Sequence, residues 1–409
     1  MKKKKLIVQK FGGTSLATID KIKKAAEKIK KEIKLKNNVI VVVSAIGKTT
    51  DKLQSLINDI NPNGDKKEID FILSSGEQAS SGLMSLALNK MGVKARSFAG
   101  WQIPILTNMS YGKAKILDID KQFINSQLKN GVTPVIAGFQ GISEEMRVAT
   151  IGRGGSDTTA VALASKFSAD RCDIFTDVDG VFTADPNLVR DAKKINQLTY
   201  EEMLEMSSVG AQVLEPRSVS LAKQNNVSLV VRSSFKKVSG TKIVKSRNIL
   251  EKRNISGIVF SKNDSKITLL GIPDKPGVAA KIFGSLANED INVDMIVQNI
   301  STDGKFSDLT FTVSENDLYK ATKSINDIKK EIGIKRILPD QKVAKISIVG
   351  IGMRTNAGIA EDMFKTLGKE KINIDLISTS EIKISVLISR KHLTKAVNVL
   401  HKSFKLSKF

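Results

Sequence analysis

The chain of 409 residues contains one cysteine, Cys172, two histidines, one tryptophan and three tyrosines. A single cysteine excludes a disulfide framework and suits a reducing compartment, so a cytoplasmic location is expected. His392 and His401 both fall in the last helical pattern, with no other catalytic cluster nearby. Histidine-base, cysteine-nucleophile and His/Cys metal-cage mechanisms are therefore disfavoured. No apolar segment approaches the length of a membrane span, and the apolar stretch in "MKKKKLIVQKFGG" is too short for a signal peptide. What remains is lysine, arginine, carboxylates, hydroxyls and backbone amides. Phosphoryl transfer needs little else, because it runs on positioning and charge neutralisation.

Positive charge is abundant. The 65 basic residues exceed the 42 acidic ones by 23, and 53 of them are lysine. These lysines are scattered over helical faces without interleaved aromatics, the pattern of a solvated surface rather than a nucleic-acid groove. Neither nucleic acid nor membrane is expected as a partner, while the field favours anionic substrates.

Residues 6–10 and 39–45 read as buried strands, with shorter ones near 93–97, 103–107 and 133–137 and another in "VSLVVRSS". Helical patterns cover 19–36, 50–60, 69–90 and 121–130, with further helices over 199–225. Apolar strands alternating with helices predict an α/β domain, a mostly parallel sheet sandwiched by helices, over 1–245. Residues 246–262 turn polar and are expected to be a linker. Beyond them the chain repeats itself: "KITLLGIPDKPGVAAKIFGSLANEDINVDMIVQN" matches "KISIVGIGMRTNAGIAEDMFKTLGKEKINIDLISTS". Each copy, 263–340 and 341–409, reads as a ferredoxin-like βαββαβ module. Both copies place a turn before the helix (Asp274 to Ala279, Thr355 to Ile359), whose amides suit an amino-acid carboxylate, and Asp294 or Asp375 would face its ammonium.

Several segments carry chemistry. "KFGGTS" puts Lys10, Gly12 and Gly13 at the end of the first strand, where amides and a point charge suit phosphate. "SSGEQAS" places Gly76 and Glu77 inside a helix, which fits either tight packing or a close ligand. "ATIGRGGSDTTAVALA" crowds Gly152, Gly154 and Gly155 before a helix expected to be capped by Ser156, an anion site with Arg153 beside it. Thr176 and Asp177 end a strand in "FTDVDGVFTADP". "SAIGKTT" fails as a P-loop because Val42 stands where its first glycine belongs, and residues 152–157 miss a dinucleotide fingerprint at Asp157.

In order and spacing, "KFGGTS", "VVVSAIGKTTD", "SSGEQAS", "AGFQG", "GRGGSDTTAVALA", "TDVDGVFTADP" and "GAQVLEPRSV" resemble the aspartate kinases of the amino-acid-kinase fold. The repeat resembles their paired ACT domains, so the likeness spans essentially the whole chain. It implies ATP-dependent phosphorylation of the L-aspartate side-chain carboxylate, the first step toward lysine, threonine and methionine. Lys10 and Asp157 would be catalytic. Ser44, Thr50, Glu77, Arg153, Gly154 and Ser156 would hold aspartate, with Arg153 on a carboxylate and Glu77 toward the ammonium. ATP, with Mg²⁺ carried on its phosphates and no resident metal, would meet Lys10, Phe11, Gly12, Gly13, Thr176, Asp177, Phe182, Asp185, Pro186 and Gln212. The last departs from the family pattern, which has lysine there.

The resemblance further implies that lysine, threonine or both act as effectors. They would bind through Asp274, Lys275, Pro276, Gly277, Val278, Ala279, Asn292, Asp294, Gln298 and Asn299 in the first copy, and Asn373, Ile374, Ser380 and Glu381 in the second. Full-length chains would form a homo-oligomer through the ACT domains. The competing readings are a sibling kinase, which the two repeats oppose, and a silent amino-acid sensor, which the intact Lys10, Glu77, Arg153 and Asp157 set opposes.

Overall fold

The structure, a computed structural model, describes residues 4–211, 213–246, 255–300, 305–351, 353 and 358–408. They fall into two compact units. The first comprises residues 1–181, 194–208 and 212–249. Its strands are β1 (Leu6–Phe11), β2 (Asn38–Val43), β3 (Ala95–Phe98), β4 (Ile105–Thr107), β5 (Ile116–Ile119), β6 (Thr133–Ala137), β7 (Gln140–Ile142), β8 (Val148–Thr150), β9 (Arg171–Thr176), β10 (Gln197–Thr199), β11 (Leu229–Ser233) and β12 (Thr241–Val244). Eight of them form one sheet in the order β10-β12-β11-β9-β1-β2-β6-β3. Only the β11–β12 pair is antiparallel.

The run "VIVVV" of β2 is buried on both faces, as a central parallel strand requires. Helix α1 (Ile19–Lys34) buries Ile22, Ala25, Ala26 and Ile29, one stripe at helical spacing. That stripe meets Val39, Val41 and Val43 of β2 and Met84 and Leu88 of α3 (Lys66–Lys90) in a common core. The remaining helices are α2 (Thr49–Ile60), α4 (Lys121–Lys129), α5 (Gly155–Lys166), α6 (Tyr200–Val209) and α7 (Pro216–Gln224). The pattern over 199–225 thus resolves into two helices, with Pro216 opening the second, where its missing N–H costs nothing. A separate sheet, β5-β4-β7-β8, was not anticipated as a unit; its strands have three or four residues, too few to show alternation.

The second unit comprises residues 182–193, 209–211 and 250–409. The first repeat is β14 (Asp264–Pro273), α8 (Val278–Asn288), β15 (Asp294–Ile300), β16 (Phe306–Ser314), α9 (Leu318–Ile332) and β17 (Arg336–Asp340), and its sheet runs β15-β16-β14-β17. The second has β18 (Val343–Val349), α10 (Gly358–Lys369), β19 (Ile374–Thr379), β20 (Lys383–Ser389) and α11 (Leu393–Ser403). Its fourth strand is β13 (Gly257–Ser261), antiparallel to β18 with Gly257 opposite Val349. Residues 246–262, expected to be a linker, therefore contribute the outer strand of the second repeat, and the first repeat is inserted between that strand and its sheet. Ala184 and Val189, from the segment 182–193, join the core of Ile346, Ile348, Met363 and Val386. Thr183 Oγ1 and His401 Nε2 share a buried hydrogen bond of 2.9 Å beside it.

Candidate active site

The candidate residues of the first unit gather at the carboxyl ends of β1, β2 and β9. Lys10 leaves β1 on the face of α5, where its Nζ lies 2.5 Å from Asp157 Oδ1 and both side chains are 11% exposed. Phe11 points to the opposite face, fully buried and stacked on Phe175 with ring centroids 4.7 Å apart. Only its backbone reaches the site, where its carbonyl accepts the Ser44 N–H at 3.0 Å. The expected Gly12 amide is already committed, donating to the Phe175 carbonyl at 3.1 Å. Gly12 serves differently: a Cβ there would stand 3.5 Å from Lys10 Nζ and fill the space beside the ammonium. At Gly13 a Cβ would come within 2.8 Å of the Ala45 carbonyl, so the turn closes only on glycine.

Gly76 resolves its two readings by satisfying both. A Cβ on it would meet Ala45 Cβ at 2.8 Å, so α3 packs directly against the turn after β2. That contact brings in Glu77, which is 4% exposed. One carboxylate oxygen accepts the Ala45 N–H at 3.0 Å, and the other, Oε2, is buried with no hydrogen-bond partner. Burial pushes the Glu77 carboxyl up to about 7, against the opposing pull of the Ala45 N–H and of the Lys10 charge.

The segment before α5 departs from expectation at its cap. Gly154 is the N-cap residue, with φ +64° and ψ 17°, and Ser156 is already helical. The left-handed geometry selects glycine over a capping hydroxyl, and a Cβ there would overlap Glu215 Cβ at 2.3 Å. Ser156 is buried against Gly138. Arg153 is exposed and has no hydrogen-bond or ion-pair partner among the described residues. Burial raises the Glu215 carboxyl, Arg153 pulls it back and Asp157 adds to the rise, which places all three charges in mutual range.

Ser44 and Thr50 are half-buried near the start of α2. Thr176 Oγ1 donates to Asp177 Oδ1 at 3.2 Å beyond β9. Phe182, Asp185 and Pro186 belong to the second unit, where Asp185 shapes its own turn by accepting the Asn187 N–H at 2.8 Å. Gln212 lies outside the described residues.

Asp70 is a residue that sequence reasoning missed. It lies one heptad before Glu77 on the same helix face, fully buried, and accepts from Gly112 N (2.9 Å), Thr150 N (2.7 Å) and Thr150 Oγ1 (2.7 Å). Burial raises its carboxyl, with those donors opposing. It ties α3 to β8, two residues before the Gly152–Gly155 segment. A carboxylate in the buried stripe of α3 was the available signal.

In the first repeat a cavity of about 400 Å³ is lined by the whole turn Asp274–Ala279 together with Gln298. Asn292, Asp294 and Asn299 are exposed and do not line it. Asp294 is already paired, 2.8 Å from Lys345 Nζ, and Asp375 likewise lies 3.2 Å from Lys266 Nζ. The expectation that either waits for an effector ammonium is thereby corrected: a lysine of the other repeat holds each. In the second repeat the turn from Thr355 falls largely outside the described residues. Asn373 donates to Asp375 at 3.3 Å, Ile374 opens β19, the Ser380 N–H donates to the Lys383 carbonyl at 2.8 Å, and Glu381 is exposed.

A model of the amino acid kinase family matches residues 5–233, and one of the ACT domain matches 267–328 and 346–404. An aspartate kinase of Pseudomonas putida is 48% identical over 402 residues, covering 98% of each chain. This chain belongs to the aspartate kinase family. An aspartokinase of Mycobacterium tuberculosis is 43% identical, covering 98% of this chain and 96% of that one. Among solved structures, E. coli aspartokinase III in complex with aspartate and ADP is similar at a TM-score of 0.82 and 25% identity, over 97% of this chain and 99% of that one. The aspartate kinase of Synechocystis is 40% identical with a TM-score of 0.55, over 98% of this chain and 69% of that one. The amino acid kinase match falls mainly within the first unit, and the two ACT matches fall within the two repeats. No described helix is long and apolar enough to cross a membrane.

Proposed function

We propose that the first unit transfers the γ-phosphoryl group of ATP to the side-chain carboxylate of L-aspartate. The observation that carries the substrate reading is Glu77 Oε2, a buried carboxylate oxygen without a donor, within electrostatic range of Lys10. Leaving such an acceptor unpaired is costly, and an α-ammonium would satisfy it. Arg153, exposed and unpaired among the described residues, offers a fork for the α-carboxylate. Ser44, Thr50 and the Gly154–Ser156 backbone complete the pocket.

The attacking carboxylate is ionised at neutral pH, so no general base is needed. Its oxygen bonds to the γ-phosphorus as the bond to the bridging oxygen breaks and ADP departs. The Lys10 ammonium neutralises charge on the transferring group, and Asp157 holds that ammonium in place until the nucleotide arrives. The space that Gly12 leaves beside Lys10 suits a phosphate, with Thr176 and Asp177 on the nucleotide side. Mg²⁺, which neutralises phosphate charge when bound, would arrive on the nucleotide, with Asp157 and Asp177 as the carboxylates offered on that side.

Replacing Lys10 with Ala is expected to lower kcat at least about 100-fold, as loss of an electrostatic stabiliser does. A folded variant with near-normal kcat in an ADP-release assay would overturn the assignment. The same assay over a panel of amino acids tests aspartate against sibling substrates.

Lysine or threonine would bind the cavity at Asp274–Ala279 and favour a less active state. Gln298→Ala is expected to abolish inhibition by both while leaving kcat intact; unchanged inhibition would exclude this cavity. Truncation near residue 260 is a poor test, because the segment 182–193 is embedded in the core of the second repeat. Full-length chains are proposed to associate as a homo-oligomer, consistent with exposed Ile296 and Ile300 on the edge strand β15.

A further inference from the structure

On the side of the sheet away from Lys10, a cleft of about 730 Å³ opens between α1 and the segment that follows β11. Its volume falls within the range of small-molecule sites, about 300–1,000 Å³. None of the residues placed in the kinase reaction lines it. Lys24, Lys28 and Lys31 stand on one wall at helical spacing, and Arg232, Lys236 and Lys237 on the other. Of the three carboxylates lining the cleft, Glu27 is exposed on α1 and the other two are committed. Asp173 is held by the Nε atoms of Arg171 (2.8 Å) and Arg232 (2.9 Å), and Glu32 by Arg171 at 2.8 Å. Lys236 reaches out to Asp179 at 2.7 Å.

Lys28 is the exception. Half-buried, it has no carboxylate partner among the described residues; its Nζ reaches only the Lys236 carbonyl at 3.4 Å and the face of Phe175 at 5.5 Å. Burial, and then the charges of Arg232, Lys31 and Lys237, push its pKa down. A half-buried ammonium surrounded by like charge lacks its counter-ion. The floor adds an independent sign: Gln9 on β1 lines the cleft, is 1% exposed, and its Oε1 has no hydrogen-bond donor. A ligand that answers both must bring negative charge to Lys28 and a hydroxyl to Gln9.

We propose that this cleft is a second ligand site, separate from the kinase reaction, that takes a small hydroxylated phosphate ester. The phosphate sits among Lys28, Lys31 and Lys237, for which point-charge ammonium groups are suited, and a ligand hydroxyl donates to Gln9 Oε1. Because Arg232 is tied to Asp173, the lysines bind while the guanidinium shapes the wall.

Isothermal titration of the full-length chain with glycerol 3-phosphate and with inorganic phosphate, at fixed ionic strength, tests this. Three variants are compared: Lys10→Ala, the triple Lys28→Gln/Lys31→Gln/Lys237→Gln, and a control that removes equal charge elsewhere, Lys90→Gln/Lys94→Gln/Lys129→Gln. Glycerol 3-phosphate is expected to bind the wild type, Lys10→Ala and control chains alike, and the cleft triple at least about 10-fold more weakly, since charge-assisted contacts are lost. Gln9→Leu is expected to remove the preference for the ester over inorganic phosphate. Binding that disappears in Lys10→Ala and survives in the cleft triple would assign it to the kinase site and overturn the proposal. Equal losses in the cleft triple and the control would reduce it to the general field of the protein, and no binding to the wild type would overturn it as well. Basal kinase activity of the cleft triple serves as its folding check.

Discussion

Glu77 sits on α3 with one oxygen held by the Ala45 N–H and the other without a donor, and its carboxyl is raised by burial from 4.5 to about 7. In the ligand-free chain this is a source of instability. A raised folded pKa means that the contribution of Glu77 is fully present below its unfolded value and is lost as pH rises through about 7. Glu77→Gln should therefore raise the melting temperature of the ligand-free chain at pH 8 more than at pH 5. The same variant should raise the aspartate KM at least about 10-fold, because a neutral amide binds an ammonium less strongly than a carboxylate does. For the wild type, kcat/KM for aspartate should climb with pH and level off above a midpoint near 7, since that ratio reports the free enzyme. A flat profile from pH 6 to 8, or a Gln variant that is stabilised yet keeps its KM, would remove Glu77 from the ammonium site. Glu77 was legible because a glycine beside it broke a helical pattern. Asp70, seven residues earlier, was not, because nothing in its immediate neighbours marks it and its partner Thr150 is 80 residues away.

Helix α5 begins on a left-handed glycine, and that geometry aims Arg153 and the first-turn Asp157. Gly154→Ala should be damaging for two reasons. An L-residue at φ +64° is strained by about 1 kcal/mol, and its Cβ would overlap Glu215 Cβ at 2.3 Å. The variant should melt several degrees lower and show a raised aspartate KM, at about 2–4 °C per kcal/mol for a unit of this size. Normal KM together with normal melting would show that the backbone before α5 does not position the site. The serine at 156 had suggested a side-chain cap, and only the backbone angle of Gly154 displaced it. Elsewhere, length decided what could be read. The six-residue apolar strands of the main sheet and the amphipathic α1 declare themselves through periodicity. The three-residue strands β7 and β8 do not, nor does β13, whose partner β18 begins 82 residues beyond its last residue.

At the scale of the second unit, duplication has produced reciprocal charge pairs. Lys266 and Lys345 are equivalent in the two repeats, as are Asp294 and Asp375, and each lysine reaches the aspartate of the other copy. Met295, Val343, Leu376 and Leu387 form an apolar cluster drawn from both copies. The pairs are unequal. Lys345 has a side chain 5% exposed, held by Asp294 at 2.8 Å and Asp264 at 3.4 Å. Lys266 is 20% exposed, at 3.2 Å from Asp375 and 3.8 Å from Asp340. Burial alone would raise the Asp294 carboxyl, yet the Lys345 ammonium outweighs it and holds that carboxyl below its usual range. The contribution of the pair is thus lost as pH falls through the lowered pKa of Asp294. Lys345→Ala should destabilise the unit by about 2 kcal/mol, because it strands the mostly buried Asp264 carboxylate, while the exposed Asp294 is partly rehydrated. Lys266→Ala should cost about 1 kcal/mol or less, as more exposed pairs do. Adding Asp294→Ala to Lys345→Ala should recover part of the loss, a non-additivity that a double-mutant cycle in urea at neutral pH would measure. Equal costs for the two lysines, or strict additivity of the double variant, would mean that the apolar cluster alone joins the repeats and that the charge pairs add nothing to it.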